Sequence, residues 1–112
     1  MIILHNPRCS KSRQALNILN EKNIDVEVVE YLKTPLSREE LTKIIQQLGI
    51  LPEKLVRKNE TEFKEHFKGK NLTDEEWIDA MVSYPKLIER PIVIKNNKAI
   101  IGRPPEKVME II

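Results

Sequence analysis

A chain of 112 residues that is 40% apolar and 32% charged can bury one modest core and is too short for two ordinary domains. A net charge of +2 with few aromatics excludes the basic, aromatic-interleaved surface of a nucleic-acid binder, and a single cysteine excludes an internal disulfide or a cysteine-based metal site. No apolar run approaches the roughly 20 residues that span a bilayer, and the start shows no basic lead or small-residue cleavage site, so a cytoplasmic protein without membrane contact is expected.

In chain order, Ile2, Ile3 and Leu4 form a short apolar run that reads as a strand, ended by an Asn6-Pro7 turn. Ala15, Leu16, Ile18 and Leu19 follow a 3.6-residue period, so residues 10 to 22 are expected to be helical. Val26, Val28 and Val29 within residues 25 to 32 predict a second strand, and strand, helix, strand implies a βαβ unit. After Thr34-Pro35, Ser37 and Glu40 make a capping box, with Leu41, Ile44, Ile45 and Leu48 at helical spacing before Gly49. A short helical piece follows Pro52, another covers 60 to 67, and Thr73 with Glu76 opens a helix carrying Trp77, Ile78, Met81 and Val82. Pro91 to Lys95, the Asn96-Asn97 turn and Ala99 to Ile101 read as a hairpin, and Pro104-Pro105 opens a final helix with Val108, Met109, Ile111 and Ile112. The expected fold is α/β, a thioredoxin-like βαβ…ββα mixed sheet. It forms one domain over 1 to 112, with a helical insertion at about 37 to 84 between strands 2 and 3.

The lone Cys9 lies in HNPRCSKSR (residues 5 to 13), where the first strand gives way to the first helix. The unpaired amides and dipole of a helix N-terminus favour an anion, and a thiolate is one. That end supplies roughly 0.3–1 kcal/mol when exposed and ~2 kcal/mol when partly buried, against about 1.4 kcal/mol per pKa unit. It moves a thiol near 8.5 by about one unit, and nearby cations must supply the rest. Arg8, Lys11 and Arg13 lie within four residues of the sulfur, and His5 four before it. An inert core cysteine is usually embedded in apolar sequence, whereas no other apolar residue stands between Pro7 and Ala15. Asn6, Arg8, Ser10, Ser12 and Pro91 are further candidates to line a pocket around the sulfur.

Arg57, Arg90 and Arg103 each sit at an element boundary, where α/β folds place ligand groups. A guanidinium fork bonds two oxygens of a tetrahedral oxyanion at once. Spacing alone does not bring the three together.

Four segments in order, HNPRCSKSR, LVRKN (55 to 59), ERPIVI (89 to 94) and IGRPPE (101 to 106), resemble the signatures of the glutaredoxin-coupled arsenate reductase family, in a short branch related to Spx-type regulators. The resemblance covers essentially the whole chain, including SREEL (37 to 41). It implies a cis proline at Pro91, a Cys9 nucleophile whose pKa His5 lowers, and an oxyanion site built by Arg57, Arg90 and Arg103. It further implies arsenate reduction to arsenite through a Cys9 thiol-arsenate adduct, with glutathione as co-substrate and glutaredoxin as partner. No bound cofactor or metal is expected, and nothing in the sequence suggests more than a monomer. One alternative is an Spx-type regulator that binds RNA polymerase. Its Cys-x-x-Cys switch is absent because Ser12 holds the second position. Another is a glutathione-linked thiol oxidoreductase with a different substrate.

Overall fold

The computed structural model describes all residues from Met1 to Ile112. The elements run β1 (Ile2–Leu4), α1 (Ser10–Glu21), β2 (Glu27–Val29), α2 (Arg38–Leu48), a 3-10 turn (Pro52–Leu55), α3 (Thr61–His66), α4 (Asp74–Ser83), a 3-10 turn (Pro85–Leu87), β3 (Ile92–Lys95), β4 (Lys98–Ile101) and a terminal 3-10 helix (Pro105–Glu110). They divide into two compact units: Met1–Thr34 with Arg90–Ile112, and Pro35–Glu89. No helix is long and apolar enough to cross a membrane.

The first unit is a four-stranded sheet in the order β2-β1-β3-β4. β1 and β2 are parallel, which requires a crossover, and α1 supplies it. β3 lies antiparallel to β1, and β4 antiparallel to β3. This mixed sheet is thioredoxin-like. Ile3 of β1, Ala15 and Leu19 of α1, Val93 of β3 and Val108 of the terminal 3-10 helix form a core without solvent exposure. Each branched side chain buried there contributes roughly 1.5–3 kcal/mol. The helical period of α1 thus points Ala15 and Leu19 at the sheet and leaves Arg13, Gln14 and Asn17 exposed.

In the second unit both expected capping boxes are present: Ser37 and Thr73 accept from the Glu40 and Glu76 amides, and both glutamates return a bond to the cap amide. Gly49 ends α2 in the left-handed conformation (φ 69°), which glycine adopts without a Cβ penalty. Leu41, Ile44 and Ile45 of α2 and Trp77, Ile78 and Met81 of α4 are buried. Phe63, Phe67, Trp77 and Tyr84 pack ring to ring beside them. Arg38 reaches from α2 to Asp79 (2.7 Å) and Glu75 of α4, so this exposed side chain also ties two helices together.

Two sequence expectations change. The second strand is only Glu27–Val29, because β1 offers three residues to pair with it. The last helix is 3-10, with i to i+3 bonds from Lys107 to Pro104 and from Ile111 to Val108. Pro104 and Pro105 have no N–H to donate, and the segment spans only six residues. Arg90-Pro91 is cis as the resemblance implied, and Arg103-Pro104 is cis as well.

Gly102 N–H donates to the Pro91 carbonyl at 2.9 Å. A Cβ on Gly102 would lie 2.9 Å from both Pro91 Cγ and Val108 Cγ1, and both neighbours are buried. Gly102→Ala is therefore expected to cost about 1–3 kcal/mol through overpacking, read as a lower urea midpoint at unchanged slope. A wild-type midpoint would show that this contact is not tight.

Candidate active site

Strand register makes the site. Leu4 pairs with Ile92, and Ile92 with Ile101, so β1 ends, β3 begins and β4 ends at one edge of the sheet. The residues just beyond these points are His5 to Cys9, Arg90-Pro91 and Gly102-Arg103. Three segments distant in sequence thus emerge side by side.

The loop after β1 is fixed by its own hydrogen bonds. His5 N–H extends the ladder to the Val29 carbonyl (2.9 Å), and Cys9 N–H closes a turn on the Asn6 carbonyl (3.0 Å). Asn6 Oδ1 accepts from Arg8 N–H (3.0 Å), an Asx turn. The Cys9 carbonyl takes the first helical bond, from Arg13 N–H (3.0 Å), so Cys9 is the N-cap of α1, with extended backbone.

Cys9 is half-buried. Burial pushes its thiol up, but the Ser12 backbone N–H and the Arg90 and Arg103 guanidiniums outweigh it and hold the thiol below its ordinary value. Arg103 Nη1 lies 3.7 Å from Sγ and also donates to the Arg90 carbonyl (3.1 Å). The sulfur closes no full cap hydrogen bond, so the Ser12 amide acts as an aimed dipole from the first turn.

Behind the sulfur lies a buried polar network. His5, Asn6 and Ser12 are all buried. Ser12 Oγ accepts from Asn6 N–H at 3.1 Å and lies 2.6 Å from His5 Nδ1. Burial lowers the His5 pKa; Glu30 raises it, and Arg13 adds to the lowering. The imidazole is therefore neutral near pH 7, and the Ser12 hydroxyl can donate to Nδ1 while accepting from Asn6. His5 bears on the thiol through Ser12, whose amide faces the sulfur, and supplies no positive charge.

The other candidates divide. Pro91 is buried at the start of β3, while Arg8, Ser10, Lys11 and Arg13 are exposed. Arg13 Nη1 donates to the Pro7 carbonyl (2.9 Å), which pins the loop to α1. Arg57 lies in the second unit, where Nε meets Glu60 Oε1 at 3.2 Å and Nη1 meets Glu89 Oε1 at 2.9 Å. Sequence reasoning missed those carboxylates and the close packing at Gly102. A glycine directly after a strand and before an arginine was the available signal for the second.

A thioredoxin-like sheet with one arginine-flanked thiol capping its first helix defines a class of single-cysteine thiol proteins. Within that class the chain belongs to the ArsC family, which matches residues 4–111. It is 42% identical over 112 residues to the arsenate reductase of Neisseria meningitidis serogroup B (98% of this chain, 96% of the relative). It is 49% identical over 112 residues to the uncharacterized protein YfgD of Escherichia coli K12 (98% and 94%). The solved arsenate reductase from Vibrio cholerae superposes with a TM-score of 0.95 at 46% identity, covering 99% of this chain and 96% of that one.

Because a depressed pKa carries the thiolate toward neutral pH, alkylation of Cys9 by iodoacetamide should stay fast below pH ~8.5. It should fall only as pH drops through the depressed value. Arg90→Ala and Arg103→Ala should each move that fall to higher pH and slow alkylation at pH 7 severalfold. Profiles identical to wild type would show that the guanidiniums do not stabilise the thiolate.

Proposed function

We propose that the protein reduces arsenate to arsenite, with Cys9 as nucleophile and with glutathione and glutaredoxin as electron donors. The observation that carries this reading is the Cys9 sulfur, its pKa held below the ordinary thiol value, beside Arg103 (3.7 Å) and Arg90. A nucleophile and oxyanion-binding donors share one spot. The arsenate reductases among its full-length relatives support the choice of oxyanion.

Arsenate binds to the guanidiniums of Arg90 and Arg103, which neutralise its charge and present arsenic to the sulfur. The Cys9 thiolate displaces one oxygen, which leaves as water after protonation, and an S–As bond forms with arsenic still at +5. A glutathione thiolate displaces a second oxygen, also as water. A glutaredoxin thiolate then attacks the glutathione sulfur, and the electron pair of the As–S bond stays on arsenic, reducing it to +3. Water releases arsenite and frees Cys9. The two electrons come from two external thiols that end joined as a disulfide, and this suits a chain whose only thiol is Cys9.

His5 and Ser12 position the thiol in this scheme. Arg57 joins the oxyanion-binding set on the strength of the family resemblance. Arsenic detoxification in the cytoplasm by a monomer completes the proposal.

Arsenate-dependent NADPH oxidation in the presence of glutathione, glutaredoxin and glutathione reductase tests it. Cys9→Ser should abolish the rate. Arg90→Ala and Arg103→Ala should each lower kcat/KM by roughly 10²-fold, the usual loss for an oxyanion donor, and Arg57→Ala should impair it too. Lys43→Ala on the exposed face of α2 should not. An inactive wild type, or activity that survives in Cys9→Ser, sinks the mechanism.

A further inference from the structure

Asn6 stands between the buried His5–Ser12 network and the sulfur. It is 7% exposed, and three of its polar groups are bonded within the segment that carries Cys9 and the first turn of α1. Its N–H donates to Ser12 Oγ (3.1 Å), its carbonyl accepts from Cys9 N–H (3.0 Å), and its Oδ1 accepts from Arg8 N–H (3.0 Å).

The bond from Cys9 N–H closes a turn over Asn6, Pro7, Arg8 and Cys9, with asparagine in the first place and proline in the second, where each is favoured. Pro7 has no N–H, so Arg8 carries the interior amide of that turn, and Asn6 Oδ1 takes it. The turn is thereby held through both the backbone and the side chain of one residue. The other two bonds lead to the residues that meet at the thiol. Cys9 supplies the sulfur, and the Ser12 amide faces it. Asn6 is thus bonded to both partners of that contact.

The chemical type of the side chain matters as well. Asparagine, aspartate and serine all close turns of this kind by accepting from the backbone two residues on. A carboxylate buried here is costly to desolvate, and it would set a second negative charge close to the sulfur, opposing the Ser12 amide, Arg90 and Arg103 that favour the thiolate. A serine hydroxyl reaches less far. The asparagine amide offers an acceptor at full reach without charge.

We propose that Asn6 is a positioning residue for the Cys9 nucleophile, its neutral side-chain acceptor holding the turn in which the sulfur meets the Ser12 amide. The inference rests on the reading of Cys9 as the nucleophile and adds a group that orients it. Asn6 acts through Arg8 and Cys9 and needs no contact with the oxyanion.

Two variants test the acceptor and its neutrality. Asn6→Ala removes the acceptor and leaves both backbone bonds of residue 6 possible, whereas Asn6→Asp keeps the acceptor and adds a charge. In each, the midpoint of the pH profile for Cys9 alkylation by iodoacetamide should rise. The helix end is worth about one pKa unit, so on the acid side of the profile the rate should fall roughly threefold to tenfold. At alkaline pH, where the thiol is fully ionised, both variants should regain the wild-type rate, which a loop that had merely come apart would not do. In the coupled assay on the acid side, Asn6→Ala should lose kcat by a similar factor and keep its arsenate KM within twofold, because Arg90 and Arg103 are untouched. A wild-type alkylation profile in either folded variant overturns the proposal. So does an Arg8 amide that exchanges its hydrogen at the free-chain rate in the wild-type protein, a measurement that needs no variant. Alkylation and exchange need no arsenate, so they decide the role of Asn6 even if the wild type shows no arsenate-dependent turnover and the reductase reading fails.

Discussion

The site in the first unit answers to one constraint, which is that a half-buried sulfur is harder to ionise unless donors and positive charge are aimed at it. Burial alone raises the Cys9 pKa, and it is the largest single influence on that group. A helix N-terminus offsets about one to one and a half pKa units. The difference is made up by groups brought in from other strands, and Arg90 and Arg103 are those groups. Their positions follow from strand pairing. With Leu4, Ile92 and Ile101 in register, the end of β1, the start of β3 and the end of β4 share an edge, and the residues beyond them face one another.

The same register explains the tight packing at Gly102. Its amide bonds the Pro91 carbonyl, and its missing Cβ admits Pro91 and Val108. Arg103 follows at once and bridges the Arg90 carbonyl to the sulfur. Core packing and thiolate stabilisation therefore meet in one short segment, where a change in side-chain volume also moves charge. Rigidity there is useful: donors already aimed at an anion need no reorganisation when it arrives.

Much of this was legible in the sequence wherever the signal is local. Ser37 with Glu40 and Thr73 with Glu76 announce their helices because a capping box is complete within four residues. Cys9 could be placed at the head of α1 because Ala15 and Leu19 fix the helical phase behind it. The limits are non-local. The length of β2 depends on how much of β1 is free to pair, and nothing in DVEVVEYL states that. Arg90 and Arg103 could be marked by position but not shown to converge, since convergence is a property of register. Arg57 read from sequence as a candidate ligand group at an element boundary, and Glu60 and Glu89 hold it on two sides. Of those two only Glu60 lies near it in the chain.

For His5 the structure changes the physical argument. Four residues before the thiol, it reads as a cation that lowers the thiol pKa by charge. In the structure it is buried, and burial outweighs the favourable field of Glu30, so a protonated imidazole is disfavoured there. What remains is orientation. Ser12 Oγ is held between His5 Nδ1 and the Asn6 amide, and Ser12 sits in the first turn with its own N–H toward the sulfur. A buried polar group is costly unless satisfied, and when satisfied it locks its neighbours. His5 thus keeps the first turn of α1 at the angle at which its amide can stabilise the thiolate. A neutral histidine does this as well as a charged one could, without adding a second buried charge.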